Sequence, residues 1–306
     1  MRLNKLWSRF FNIGEFVIEV CGDDVGILDK GNFFIFMNGN YSFEPFISIY
    51  ITSFNSDEID WEDDLIEVKP VYNLPIGDKV KFFFPKSYIK KYESFIKEVI
   101  LRADGSFYFF TKSFFFVVYK KERLVYLSFS SSFLDNSFLE SCLLLGISQF
   151  FQDLGGVIMH ASSVVFNKKV FLFCGPSGVG KSTIISLVDA PILSDDIIFV
   201  KKVDDKYIAY SIPFDTFNLR KLVEFSEIGA IYCLKQGSSL LLNRLSFQKA
   251  FFYIFFSHRF FFGHPLCYHV RRFYFNFLFD MIQRVPIYEL IFKKEKIDLN
   301  VIYEKF

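Results

Sequence analysis

The chain has 306 residues, a formal net charge of +1 and a charged fraction of 23%. This length suits one large domain or two ordinary ones, each with a substantial core. Because the net charge is close to zero, no strong electrostatic field attracts nucleic acid or an anionic membrane surface, and we expect neither as a partner.

Apolar runs are frequent, since 45 residues are phenylalanine, but none predicts a membrane span. A spanning helix needs about 20 predominantly apolar residues. The longest uncharged stretch, residues 154–167, contains His160 and several polar residues. Arg9 and Glu15 interrupt the N-terminus where a signal peptide would need an apolar core. We therefore expect a soluble, cytoplasmic protein.

The cysteines are scattered and odd in number, with no paired spacing for zinc or a redox motif. The histidines are equally dispersed along the chain. We expect reduced, mostly buried thiols and no cluster of metal-binding cysteine and histidine.

Residues 1–134 form a strand-rich N-terminal domain in this interpretation, with a suggested role in recognising an acceptor. Alternation and β-forming residues predict strands at 32–37, 46–54 and 79–84. A hairpin is predicted to join residues 114–119 to residues 123–129 through a short charged turn. Four-residue spacing of apolar side chains predicts a helix over 87–102, and the acidic segment 57–64 is interpreted as a solvated loop.

Serine, aspartate and asparagine at 130–137 favour turns and helix caps, so we place a domain boundary after residue 134. Residues 135–306 then alternate between helical and strand patterns, which indicates an α/β domain. The predicted helices are 137–151, 181–187, 246–256 and 273–284. The predicted strands are 157–166, 170–174, 197–200, 207–212, 230–234 and 287–292, with a further strand end at 193–196.

A glycine-rich segment between a predicted strand and a predicted helix has the pattern of a phosphate-binding loop. It consists of Gly175, Pro176, Ser177, Gly178, Val179, Gly180, Lys181, Ser182 and Thr183. Glycines allow the backbone N–H groups to approach phosphate oxygens, the lysine reaches the β and γ oxygens, and the serine hydroxyl can bind magnesium. We therefore expect ATP and Mg²⁺ as ligands.

Two adjacent carboxylates, Asp195 and Asp196, follow Lys181 after a short interval. This spacing predicts a short helix that returns into a strand whose end faces the phosphates. One carboxylate can hold magnesium while the other accepts the proton of an attacking hydroxyl. An acidic surface turn before a strand is the structural alternative.

Three segments together resemble the HPr kinase/phosphorylase-related kinases, whose nucleotide core is similar to that of ATP-dependent phosphoenolpyruvate carboxykinase. They are residues 160–162 before the loop, the loop itself at 175–183, and residues 193–196. Their order and spacing match over roughly residues 140 to 215. The resemblance implies a mixed-sheet P-loop kinase core.

The resemblance also implies a role for each matching residue. Lys181 would contact the β and γ phosphates, and Ser182 would hold magnesium with one aspartate, for which Asp196 is the candidate, although the sequence leaves the choice between Asp195 and Asp196 open. The other aspartate would be the catalytic base. His160 would lie near the transferring phosphoryl group, although a buried structural histidine is the alternative.

The chain departs from the HPr kinases at Thr183, where those enzymes usually carry glutamate, and it lacks their Glu-Val-Arg-Gly segment after the aspartates. It more closely resembles divergent relatives, some of which phosphorylate free serine or tailor ribosomally made peptides. We therefore expect an ATP-dependent kinase acting on a hydroxyl of a peptide, small protein or amino acid. A nucleotide-gated binding protein and a simple P-loop ATPase are the rivals, and the sequence leaves open whether the chain forms a homo-oligomer.

Overall fold

The computed structural model describes residues 7–13, 16–22, 45–54, 98–101, 107–110, 114–130, 143–144, 146–212, 225–257, 268–293 and 295. These residues belong to two compact units. The first unit contains the described residues up to Phe150, and the second contains those from Phe151 onward. The predicted boundary after residue 134 lies outside the described residues and stays a prediction.

Strands dominate the described part of the first unit. They are β1 (Trp7–Ile13), β2 (Phe16–Gly22), β3 (Ile47–Phe54), β4 (Glu98–Leu101), β5 (Phe107–Phe110), β6 (Phe114–Tyr119) and β7 (Leu124–Ser130). They form one sheet in the order β1-β2-β3-β7-β6-β5-β4. β2, β3 and β7 are parallel neighbours, and the other pairs are antiparallel.

The structure confirms the predicted strand at 46–54, which is β3, and the predicted hairpin, which is β6 and β7. The helix predicted over 87–102 is wrong at its end, because residues 98–101 form β4, which pairs with β5. Val99 and Ile100 are β-branched and suit a pleated surface. The four-residue spacing of apolar side chains did not by itself distinguish a helix from a strand here. Residues 87–97, the predicted strands 32–37 and 79–84, and the acidic segment 57–64 lie outside the described residues.

The second unit alternates helices and strands as predicted. Its elements are α1 (Phe151–Leu154), β8 (Gly156–Phe166), β9 (Lys169–Cys174), α2 (Lys181–Leu187), β10 (Ile192–Ser194), β11 (Ile197–Val203), β12 (Lys206–Ser211), β13 (Phe225–Gln236), β14 (Leu241–Arg244), α3 (Phe247–Ser257), α4 (Tyr268–Arg284) and β15 (Ile287–Phe292). Of the predicted helix 137–151, residues 143–144, 146–148 and 151 are helical, residues 149–150 form a turn, and residues 137–142 and 145 lie outside the described part. The described residues of this segment up to Phe150 belong to the first unit.

The sheet of the second unit is mixed. β9, β13 and β15 are parallel neighbours, whereas β8, β10, β11, β12 and β14 pair antiparallel to their neighbours. Because β9 pairs with both β13 and β8, the strands β8, β11, β12, β13 and β9 form a closed circuit of hydrogen-bonded neighbours. The observed fold is α/β with mixed sheets.

Two apolar clusters show how the helices cover this sheet. One cluster joins alternate residues of β9, including Leu172, to Ile254 of α3 and Leu278 of α4. The other joins the intervening residues of β9, including Phe173, to Ile184 of α2. Successive strand side chains point to opposite faces, so α2 covers one face while α3 and α4 cover the other. None of the helices in the described ranges is both long enough and apolar enough to cross a membrane.

Candidate functional site

The predicted glycine loop connects the carboxyl end of β9 to the start of α2. Cys174, the last residue of β9, is aligned with Cys233 in the neighbouring parallel strand β13, and β13 pairs in parallel with β15. The ends of three parallel strands therefore lie beside the loop. Ligands of α/β sheets bind outside this edge, so the loop occupies a position suited to ligand binding.

The glycines of the loop are required by its backbone conformation. Gly178 and Gly180 have φ values of 81° and 108°, which glycine adopts without the strain that a Cβ would bring. The N–H of Val179 donates to the carbonyl oxygen of Pro176 at 3.2 Å and closes a turn. Because α2 has only 7 residues, its dipole is small, and the N–H groups of the loop and Lys181 supply most of the local positive potential.

Lys181 folds over the loop that precedes it. Its Nζ donates to the carbonyl oxygens of Gly175 at 3.0 Å and Pro176 at 3.4 Å. Burial lowers the pKa of Lys181, and the charge of Asp196 opposes that effect. The ammonium is thus held at the loop, within electrostatic range of one of the predicted catalytic carboxylates.

The two aspartates interrupt a strand that runs along β8. β10 and β11 both pair antiparallel with β8, with Ser194 aligned to Ser163 and Ile197 aligned to His160. The residues between β10 and β11 are Asp195 and Asp196. The continuity of the register on either side places them opposite the middle of β8.

The same part of β8 also borders the glycine loop. Ala161 is aligned with Cys174, which immediately precedes the loop. The hydroxyl of the next residue, Ser162, donates to the backbone carbonyl of Asp195. β8 therefore connects the loop on one side to the aspartate pair on the other.

His160 contacts one of these aspartates directly. Its Nε2 lies 2.7 Å from Oδ1 of Asp196, and the two side chains are 16% and 53% exposed. A hydrogen bond at this distance needs the proton on Nε2. His160 therefore lies beside a predicted catalytic carboxylate, an arrangement that the alternative of a purely structural histidine does not require.

The predicted site residues differ in their access to solvent. Asp195 is 6% exposed, whereas Asp196 and Ser182 are exposed and Thr183 is half-buried. Within the described ranges, no group of three or more His, Cys, Asp or Glu side chains is placed to hold a metal ion.

Sequence reasoning missed three residues that support the loop. The side-chain amide of Gln236, at the end of β13, donates to the carbonyl oxygens of Gly178 and Val179. Phe292, at the end of β15, packs beneath Gly180, and the Tyr253 hydroxyl lies close to Gly175. No local motif identifies them, because the pairing of distant strands and helices brings them to the loop.

Cys174 lies directly before the loop but is not a reactive nucleophile. It is fully buried, and this burial raises its pKa to about 12 although Lys181 opposes the shift. The thiolate is the reactive form of cysteine, so this thiol stays protonated at neutral pH. The expected buried thiols are confirmed at Cys174 and Cys233.

Comparisons with solved structures find likenesses, one of which is distant in sequence. No protein-family model and no curated protein matches the chain. A solved structure of the HPr(Ser) kinase/phosphatase from Coxiella burnetii is similar over 48% of this chain and 91% of that chain, with 14% sequence identity and a TM-score of 0.27. A TM-score of this size does not establish a shared fold, so the function proposed below depends on the residues of this chain.

Proposed function

We propose that the chain is an ATP-dependent kinase that transfers the γ-phosphate to a hydroxyl group, with serine in a peptide, in a small protein or as a free amino acid as the acceptor. One observation carries the proposal. The glycine loop with Lys181 and the aspartate pair lie on either side of the same segment of β8, and His160 of that segment contacts Asp196. This neighbourhood supports the proposal, because a kinase needs carboxylates next to the loop that binds phosphate.

The loop supplies the phosphate-binding half of the site. Left-handed glycines turn the backbone sharply enough for successive N–H groups to converge on an anion. The ammonium of Lys181 has three N–H donors, and the carbonyls of Gly175 and Pro176 accept from it. We propose that these carbonyls orient the ammonium and that a further N–H meets the β and γ oxygens.

The oxygen ligands near the loop fit Mg²⁺. This ion prefers hard oxygen donors and is usually held by one or two protein ligands together with substrate phosphates and water. The hydroxyl of Ser182 and one carboxylate of the aspartate pair form such a set. When bound, Mg²⁺ neutralises the negative charge that develops on the β and γ oxygens.

Two divisions of labour between the aspartates fit this site. In the one expected from the sequence, Ser182 and Asp196 hold Mg²⁺ and Asp195 is the base. In the other, Asp195 holds Mg²⁺ with Ser182, and Asp196 accepts the proton. The exposure of the two side chains favours the second, because an acceptor hydroxyl reaches a carboxylate that is 53% exposed more readily than one in a residue that is 6% exposed.

In this second arrangement, Asp196 is the base for phosphoryl transfer from ATP to the acceptor hydroxyl. The carboxylate of Asp196 takes the proton of the acceptor hydroxyl as the oxygen attacks the γ-phosphorus, and the bond from that phosphorus to the bridging oxygen breaks. ADP leaves, and the acceptor becomes a phosphate ester. His160 holds Asp196 in place through the contact at 2.7 Å.

A transfer assay separates this proposal from its rivals. The full chain is incubated with Mg²⁺ and γ-labelled ATP, alone and with free serine or a pool of serine-containing peptides. We expect label in an acceptor, with loss of both transfer and acceptor-stimulated ADP formation in Asp196→Asn.

Each rival predicts a different product. Inorganic phosphate formed at a rate that no acceptor changes would identify a simple ATPase. Tight MgATP binding without turnover would identify a nucleotide-gated binding protein. Either result from a folded wild-type chain, over a broad set of hydroxyl acceptors, would contradict the kinase proposal.

A further inference from the structure

We infer that Gln236 is a positioning residue that sets the orientation of the glycine loop for phosphate, with Phe292 as the surface against which the loop rests. This inference rests on the proposed function, because the bound phosphate is that of ATP. Gln236 and Phe292 are aligned with each other at the ends of the parallel strands β13 and β15. Both therefore reach the edge of the sheet at the point where the loop passes.

The amide of Gln236 makes two contacts with the loop. Its Nε2 lies 3.2 Å from the carbonyl oxygen of Val179 and 3.5 Å from that of Gly178. Both partners are acceptors, so only the nitrogen of the amide can bond them, and its oxygen would be repelled. The side chain thus holds two consecutive peptide units from one side.

Holding a carbonyl also fixes the N–H on the other side of the same peptide. A trans peptide is planar, with its C=O and N–H directed to opposite sides. The bond from Gln236 to the Val179 carbonyl therefore turns the N–H of Gly180 away from Gln236. That N–H is then presented on the side of the loop that remains for an anion.

Phe292 limits how far the loop can move towards the sheet. The ring is 2% exposed, and a Cβ placed on Gly180 would lie 2.9 Å from its Cζ. Gly180 therefore rests on the ring with no room for a larger residue. The ring fixes the depth of the loop, and the amide fixes the direction of its peptides.

Substitutions at Gln236 test the donor role without disturbing the core, because this side chain is exposed. Gln236→Met keeps the length and removes the donor. Gln236→Glu keeps the shape but offers only acceptors, and Gln236→Lys restores a donor. The control is Gln283→Met, at an exposed position on α4.

The measurements are the Kd for MgATP by calorimetry and the Tm of each variant. Loss of a hydrogen bond that orders the loop is expected to weaken binding about tenfold in Gln236→Met. We expect a larger loss in Gln236→Glu, binding at least as tight as wild type in Gln236→Lys, and no change in the control. All Tm values are expected to stay close to that of the wild type.

A second readout is amide hydrogen exchange at residues 178–180 in the nucleotide-free protein, which we expect to be faster in Gln236→Met than in the control. Wild-type affinity and wild-type exchange in Gln236→Met would overturn the inference. A wild-type chain that binds MgATP but transfers nothing contradicts the kinase proposal alone. A wild-type chain that binds no MgATP overturns both.

Discussion

Asp195 and Asp196 are neighbours in the chain, but their surroundings differ. Asp195 is buried, and its backbone carbonyl accepts from Ser162. Asp196 is exposed and contacts His160. Both residues were predicted as site residues because two adjacent carboxylates follow the loop, but the sequence does not reveal which of them the histidine contacts, since that depends on the pairing of β8 with β11.

Replacing each aspartate by asparagine removes charge and basicity while keeping the shape. We expect Asp195→Asn and Asp196→Asn to retain MgATP binding but to lower transfer by about 100-fold or more, because the transition state depends on positioning and charge. If Asp196 is the base, Asp195→Asn alone raises the Mg²⁺ concentration needed for half-maximal rate. Initial rates over a Mg²⁺ series measure this, with Asp189→Asn as an exposed control. Wild-type rates in both variants would show that the two aspartates form an acidic surface turn with no role in transfer.

Alanine substitutions at Gly178 and Gly180 distinguish the cost of backbone strain from the cost of steric contact with a neighbouring side chain. Both have positive φ values, so alanine at either position is expected to cost about 1–2 kcal/mol in the free energy of unfolding. A Cβ at Gly178 meets no atom within 4 Å, whereas one at Gly180 meets Phe292. Gly180→Ala is therefore expected to be the more destabilising in urea denaturation. Equal costs would show that the contact with Phe292 is unimportant.

At the scale of elements, the strands and helices of the second unit were largely predictable because each has a strong local pattern. Asn167 and Lys168 form the turn between β8 and β9 and adopt the positive φ values that a tight hairpin needs. The end of the predicted helix at 87–102 was wrong because pairing with β5 decides that β4 is a strand. The positions of Gln236 and Phe292 were not predictable, since they depend on the alignment of β13 with β15.

Asp280 attaches α4 to the hairpin formed by β11 and β12. It accepts from Lys202 at 2.6 Å, from the Tyr207 hydroxyl, and from Arg284 at 3.0 Å. Burial raises the pKa of Asp280, but these hydrogen bonds and charges outweigh burial and hold the pKa well below its usual range. The ionised carboxylate is therefore favoured by the folded state.

This lowered pKa predicts how the attachment depends on pH. The stabilisation by Asp280 is fully present above the pKa of the unfolded chain, about 3.9, and is lost as pH falls through the lower folded pKa. Asp280→Asn is thus expected to lower the free energy of unfolding at pH 7, with a smaller difference from wild type at pH 3. Urea denaturation at pH 7 and at pH 3 measures this difference in the free energy of unfolding, with Asp189→Asn as the control. An equal difference at both values would mean that packing, not charge, is responsible.

At the scale of the whole molecule, the predicted catalytic and nucleotide-binding residues all lie in the second unit. The loop could be read from the sequence because its strand, glycines, lysine and helix are contiguous in the chain. A role for the first unit in recognising the acceptor stays a prediction, since neither its composition nor its sheet identifies a ligand. Nucleotide binding by this loop is therefore the property on which every proposed role of these residues depends.

Calorimetric titration of the full chain with MgATP tests that claim most directly. Lys181→Met keeps the apolar stem and removes the ammonium, and Lys249→Ala, at an exposed position on α3, is the control. We predict that wild type and control bind with the same affinity and that Lys181→Met binds about 10–100-fold more weakly, the range expected for a lost charged hydrogen bond. Unchanged affinity in a Lys181→Met variant with a wild-type circular dichroism spectrum, or no binding by wild type, would contradict the account.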